Sequence, residues 1–158
     1  MKVSVTSYSY SQALGKNGFT IQDAMAHAKK IGVEGFEFAG FATPEGKKPI
    51  EYAKELREYG RSIGLPIVAY AIGADFGKED LDAEVERVCG EVDIAEILGV
   101  PVMRHDVAWG IPGWFSGVRS FGALLPRLAQ GCRRVTEYAA SKGIKTCSEN
   151  HGTFVQDS

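Results

Sequence analysis

Glu149 and His151, in the run Ser148-Glu149-Asn150-His151, are the residues whose types and spacing best suit chemistry. Two positions apart, they fall on one side of an extended strand. A carboxylate there can take a proton or bind a hard divalent cation, and an imidazole can support it or touch a substrate. Plainer readings stand beside these: a strand-end Glu in a surface ion pair, and a loop His capping the next helix. Polar and aromatic residues also gather where earlier strands should end: Tyr8, Glu37, Tyr70, and His105 followed by Asp106. Tyr8 and Tyr70 can wall a ring-shaped ligand or simply fill the interior.

The elements that must position these residues are marked by glycines. Gly32, Gly64, Gly99 and Gly143 each follow an amphipathic stretch and precede a short apolar run. Glycine suits a helix end because the closing residue commonly adopts the left-handed conformation, which costs glycine least. Pro66 and Pro101 fall at strand starts, where a missing N–H is tolerated. The apolar stripes predict four helices: Ile21, Ala24, Ala28 and Ile31; Tyr52, Leu56, Tyr59 and Ile63; Leu81, Val85, Val88, Val92 and Ala95; and Leu125, Leu128, Cys132, Val135 and Ala139. Thr20 with Asp23 forms a capping pair for the first. With an opening strand over Lys2–Ser7, the order is β-α-β-α-β-α-β-α-β, which argues for a parallel sheet with right-handed crossovers.

No Gly-x-Gly-x-x-Gly follows the first strand; Tyr8-Ser9-Tyr10-Ser11-Gln12 stands there instead. Polar residues at the C-terminal ends of strands suit a (β/α)8 barrel, where that rim binds ligands. Such a barrel takes about 250 residues, so residues 1–158 read as a single domain forming an incomplete TIM-type barrel of about five parallel strands and four helices.

The formal net charge of −2 gives no basic face for a phosphodiester backbone, so nucleic acid is not expected as a partner. No apolar run is long enough to cross a bilayer and no signal peptide is legible. Cys89, Cys132 and Cys147 lack a CxxC spacing and read as reduced thiols of a cytoplasmic protein, with Cys147 filling the interior beside Glu149.

The pattern Gly32-Val33-Glu34-Gly35-Phe36-Glu37, the strand entered through Gly64-Leu65-Pro66, and Ser148-Glu149-Asn150-His151-Gly152 together resemble the xylose-isomerase-like barrels, the sugar phosphate isomerase/epimerase superfamily. The resemblance covers essentially the whole chain and the family's first five βα steps. It implies a TIM barrel with a divalent metal (Mn, Mg, Co or Zn) at its C-terminal mouth, acting on a small sugar, sugar phosphate or polyol. Glu149 carries over as the first metal-ligating carboxylate and as a proton carrier. The family's other ligands, an Asp, a His and a second Glu on later strands, have no counterpart here. Glu37 matches an acidic residue that binds sugar hydroxyls or pairs with a basic group such as Arg104. His105 corresponds to a rim His, with substrate hydrogen bonding, a structural role and ligation all open, and Asp106 could orient it. His151 supports the site or touches substrate.

The reaction implied is isomerisation or epimerisation by proton transfer α to a carbonyl. An inosose-type dehydratase and a non-catalytic sugar-binding remnant are the competing readings. Glu149, Glu37 and His105 are expected to share one mouth. The 158-residue chain alone is expected to bind metal weakly and not to turn over, with the edges of strands 1 and 5 open to self-association.

Overall fold

A computed structural model describes residues 2–117 and 119–149, so His151 lies outside the described residues. The elements are β1 Ser4–Thr6, α1 Ile21–Lys30, β2 Gly35–Ala39, α2 Pro49–Ser62, β3 Ile67–Ile72, α3 Leu81–Leu98, β4 Val102–His105, α4 Phe121–Ser141 and β5 Lys145–Ser148. The strands form one five-stranded parallel sheet in the order β1-β2-β3-β4-β5. Thr6 pairs with Glu37, and Glu37 with Ala69, with a register shift between Phe36 and Glu37. Sequence order matching spatial order is the winding of a TIM-type barrel, and these five strands with four helices are a part of one.

Local chemistry sets each junction. The four helix-ending glycines have φ of +87°, +64°, +75° and +72°. The N–H of the next residue donates back five positions in every case: Val33 to Ala28, Leu65 to Gly60, Val100 to Ala95 and Ile144 to Ala139. This is one Schellman cap used four times, and it turns each helix directly into the following strand. At the other end of α1 the Thr20 and Asp23 capping box is complete, with Thr20 N–H donating to Asp23 at 2.8 Å and Asp23 N–H to Thr20 at 3.2 Å.

Three expectations are corrected. β1 is confined to Ser4–Thr6, because Thr6 caps a tight 3-10 turn over Ser7–Tyr10 that ends the strand early. On α4 the buried stripe is Leu124, Leu128, Gly131, Val135 and Ala139, while Leu125 is 46% exposed. That set follows the 3.6-residue period through a glycine, which a search for apolar side chains passes over. Cys147 is exposed, its thiol 4.0 Å from the Met103 carbonyl, on the last strand in the sheet order of the described residues.

The packing divides into two compact units, Met1–Ala71 with Asp93–Val102, and Ile72–Val92 with Met103–Ser158. The first is centred on Met25, Phe36, Phe38, Leu56 and Leu65. An aromatic chain runs through it, Tyr10 to Phe36, Phe38 and Phe41, with centroids 5.2–6.3 Å apart. The second is centred on Phe76, Val88, Met103, Leu124 and Leu128. There α4 approaches closely through Gly131, where a Cβ would lie 2.5 Å from Phe76 Cγ. Among the described residues no helix is long and apolar enough to cross a membrane.

Candidate active site

In the second unit the ends of β4 and β5 meet at one guanidinium. Arg104 Nη1 donates to Asp106 Oδ1 at 2.6 Å, and its Nε lies 3.0 Å from Glu149 Oε2. Arg104 and Asp106 share a strand face because they are two residues apart. The Asp106 side chain is 6% exposed and that of Glu149 51%. The arrangement is a buried carboxylate and a guanidinium holding an accessible carboxylate, and the accessible one is the sequence candidate.

His105 points the other way. It is 2% exposed, its ring meets Phe76 edge-on at 5.6 Å, and Nδ1 lies 2.8 Å from the Asp106 carbonyl. A carbonyl only accepts, so Nδ1 carries the proton and Nε2 is left as an acceptor. Burial lowers the His105 pKa, which keeps the ring neutral, while the Asp106 carbonyl and carboxylate oppose that shift. Asp106 does orient this ring, through its backbone rather than its carboxylate.

A second polar cluster follows β3. The buried Glu84 carboxylate, on α3, pairs with Lys78 at 2.6 Å and Arg87 at 2.7 Å, and accepts the Asp75 N–H at 2.9 Å. Arg87 also donates to the Gly73 carbonyl at 2.7 Å, so the turn after β3 is fastened at both ends. Burial alone would raise the Glu84 pKa; the hydrogen bonds from Arg87, Lys78 and Asp75 outweigh it and hold the group at about 2. Asp75 shifts upward, because burial and the nearby Glu84 charge outweigh the N–H groups of Gly77 and Trp109 and the nearby Lys78 charge. Sequence reading missed this cluster, yet a signal existed: Glu84 sits inside the apolar stripe Leu81, Val85, Val88.

The loop after β4 is also tied into this unit. Trp114 Nε1 donates to the Gly77 carbonyl at 3.0 Å, and the Arg127 guanidinium lies 4.8 Å above the Trp114 ring. Arg127 also donates to the Glu79 carbonyl at 2.7 Å. Trp109, by contrast, is 57% exposed. A Cβ on Gly73 would lie 3.7 Å from both its ring and Asp106 Oδ2.

In the first unit Tyr8 is 73% exposed in the turn after β1, Glu37 is half-buried on β2, and Tyr70 is buried against Phe41 at 5.9 Å between centroids. A cavity of about 520 Å³ opens there, lined by Ser7, Tyr8, Phe19, Ile21, Phe41 and Tyr52 among others. Among the described residues no three His, Cys, Asp or Glu side chains come together to hold a metal ion. Of the candidate ligands among the described residues, Glu149 is already ion-paired and His105 is buried, so the described donors do not fit a divalent metal by themselves.

The winding of the sheet, with polar groups at strand ends, defines a partial TIM barrel. Residues 25–157 match the sequence family described as xylose isomerase-like TIM barrel, and the chain belongs to that family. No curated protein matches it significantly. Among solved structures it is similar to a probable 3-DHS dehydratase, AsbF, involved in petrobactin synthesis in Bacillus anthracis. The two are 18% identical with a TM-score of 0.75 over 99% of this chain and 55% of that one. A D-psicose 3-epimerase determined in the presence of D-fructose gives 17% identity and a TM-score of 0.72, covering 99% and 55%. The 3-keto-D-glucoside 4-epimerase YcjR from E. coli gives 18% and 0.68, covering 94% and 55%. The chain thus spans about half the length of each.

Proposed function

We propose that this chain supplies part of a metal-dependent isomerase or epimerase that acts on a sugar, sugar phosphate or polyol. The observation that carries the reading is the accessible Glu149 carboxylate, held by Arg104 at the ends of β4 and β5. A carboxylate fixed in direction can take the proton α to a carbonyl, the C–H electron pair moving into the enediolate. Delivery of a proton to the other face by a second acid, from outside the described residues, epimerises the carbon and leaves the first proton on Glu149; return of the first proton to the neighbouring carbon isomerises the sugar. Arg104 carries N–H donors suited to charge developing on the substrate oxygen. Tyr8, Glu37 and Tyr70 are proposed as sugar contacts on the first unit, and His105 on the second. His105 is 2% exposed, so it requires a shift of its surroundings to reach substrate. His151 is proposed as a further contact.

Metal dependence is part of the proposal. Glu149 would contribute one oxygen donor, the remaining donors coming from outside the described residues. The family's epimerases and dehydratases among the similar structures keep an inosose-type dehydratase as the second reading, since it begins with the same proton abstraction. The test is exchange of the substrate α-proton with D₂O across a panel of ketoses and inososes, followed by NMR, on a protein containing this chain. Exchange that depends on added Mn²⁺ or Mg²⁺ and disappears in Glu149→Gln supports the reading. Undiminished exchange in Glu149→Gln removes Glu149 from it.

A further inference from the structure

The cavity of the first unit has a chemistry unlike that of a monosaccharide site. It lies where β1 and β2 end, roofed by the turns after them and walled by the start of α1 and by α2. Leu14, Phe19, Ile21, Phe41 and Tyr52 give it an apolar lining, and among the described residues no Lys, Arg, His, Asp or Glu lines it. Its polar groups are mostly engaged. The Thr20 hydroxyl donates to Asp23 at 2.6 Å, and the Tyr52 hydroxyl donates to Gln22 at 3.2 Å. The hydroxyls of Tyr8 and Ser11 stand at its exposed rim, and the buried exception is Ser7, 3% exposed, whose Oγ accepts the Ala39 N–H at 2.8 Å. Its own proton has no acceptor among the described residues and is free to donate to a guest.

A volume of about 520 Å³ is that of a small-molecule site, which falls at roughly 300–1,000 Å³ with mostly apolar walls and few polar anchors. A bare polyol placed here would leave most of its hydroxyls unpaired, at a cost of about 1–3 kcal/mol for each. A phosphate would meet no cation. We infer that this cavity takes an uncharged, mainly apolar substituent bearing one hydrogen-bond acceptor, carried by the sugar as an aglycone is. Tyr8, proposed above as a sugar contact, stands at its rim, so the inference rests on that reading and extends it to substrate class. Ser7 O–H meets the bridging oxygen, and Phe19, Ile21 and Phe41 surround the ring or chain.

The test measures binding of p-nitrophenyl β-D-glucoside, methyl β-D-glucoside, glucose 1-phosphate and p-cresol to the chain, by calorimetry and saturation-transfer NMR. Two variants accompany it. Ser7→Ala removes the free donor, and Ala42→Phe fills the cavity from an exposed loop position, so its folding is not at stake. The aryl glucoside should bind about tenfold more tightly than the methyl glucoside. It should lose that advantage in Ala42→Phe and about threefold of it in Ser7→Ala, the loss of one hydrogen bond at the low end of its usual range. Equal binding of aryl glucoside, methyl glucoside and glucose 1-phosphate overturns the inference and leaves the sugar reading intact. So does aryl binding that survives Ala42→Phe. Binding of p-cresol that Ala42→Phe abolishes, with no gain from attached glucose, keeps the cavity as an apolar site and overturns the sugar reading instead.

Discussion

Gly90 and Gly131 lie inside helices, α3 and α4, and the same substitution should move stability in opposite directions at the two. Intrinsic propensity favours alanine over glycine by about 1 kcal/mol at either site. At Gly90 a new Cβ meets nothing within 4 Å, so Gly90→Ala should realise that gain. At Gly131 the Cβ would lie 2.5, 2.6 and 2.9 Å from Cγ, Cδ1 and Cβ of Phe76, which is 0% exposed. Rotation of the ring cannot relieve this, because the Phe76 Cβ is itself in the way and is fixed to the backbone. The helix must move, and overpacking of this kind costs about 1–3 kcal/mol, sometimes more. With contacts this short the cost falls in the upper part of that range, about 2–3 kcal/mol, so against the propensity gain Gly131→Ala should be destabilised by roughly 1–2 kcal/mol, a fall in Tm of about 2–8 °C for a chain of this size. Urea unfolding followed by circular dichroism measures both variants. Phe76 also packs on His105, so Gly131→Ala should shift the His105 ring signals in NMR while Gly90→Ala should not. Stabilisation of Gly131→Ala to the level of Gly90→Ala would refute the close approach of α4 to Phe76.

Further outcomes follow from the polar groups. The Glu84 pKa, about 2 in the fold, lies below the ordinary 4.5, so its contribution is present above about pH 4.5 and is lost as pH falls through about 2. Glu84→Gln should flatten that part of the stability curve and destabilise the chain at pH 7 by about 2 kcal/mol. That is less than the roughly 3–5 of a fully buried pair, because Lys78 and Arg87 reach water; an unchanged acid limb would disprove the network. His105 is held neutral by burial, its folded pKa below 6.5, so stability should fall as pH drops below that value; His105→Gln should remove that slope, and an NMR midpoint above 6.5 would contradict it. Cys147 should be the first thiol to react with a chromogenic disulfide and Cys132 the slower, since burial raises the Cys132 pKa and Cys147 is exposed; mass mapping of partially labelled protein gives the order.

Most of the fold was legible because its punctuation is local. Each left-handed glycine, the Thr20 and Asp23 box, and Pro66 before β3 act within a few residues, and a one-dimensional pattern carries them intact. What failed depended on contacts made at a distance. Leu125 and Leu124 are equally apolar in sequence, and Leu124 goes inside on the face of α4 that Gly131 brings against Phe76. The role of Arg104 was equally hidden. The sequence offers it only as one basic partner for Glu37; strand alternation places it beside Asp106, and Glu149 joins it from the next strand.

The polar clusters of the second unit point to how a site could be kept in shape on this scaffold. Arg104 is fixed by the nearly buried Asp106, and it in turn fixes Glu149, so the accessible carboxylate is oriented by a guanidinium anchored on a buried group. The turn after β3 is fastened independently by Glu84 through Asp75, Lys78 and Arg87. Each device puts a buried carboxylate behind the exposed part of a strand end, and each carboxylate is satisfied by cations that themselves reach water, which keeps the desolvation cost tolerable. This separation of holding groups from presenting groups makes a testable distinction. Asp106→Asn should reduce turnover in a protein containing this chain while leaving substrate affinity nearly unchanged, because it lets Arg104 and Glu149 swing without removing either. Glu149→Gln should abolish turnover outright. Equal losses in the two variants would place Asp106 in direct contact with substrate and refute the division of roles.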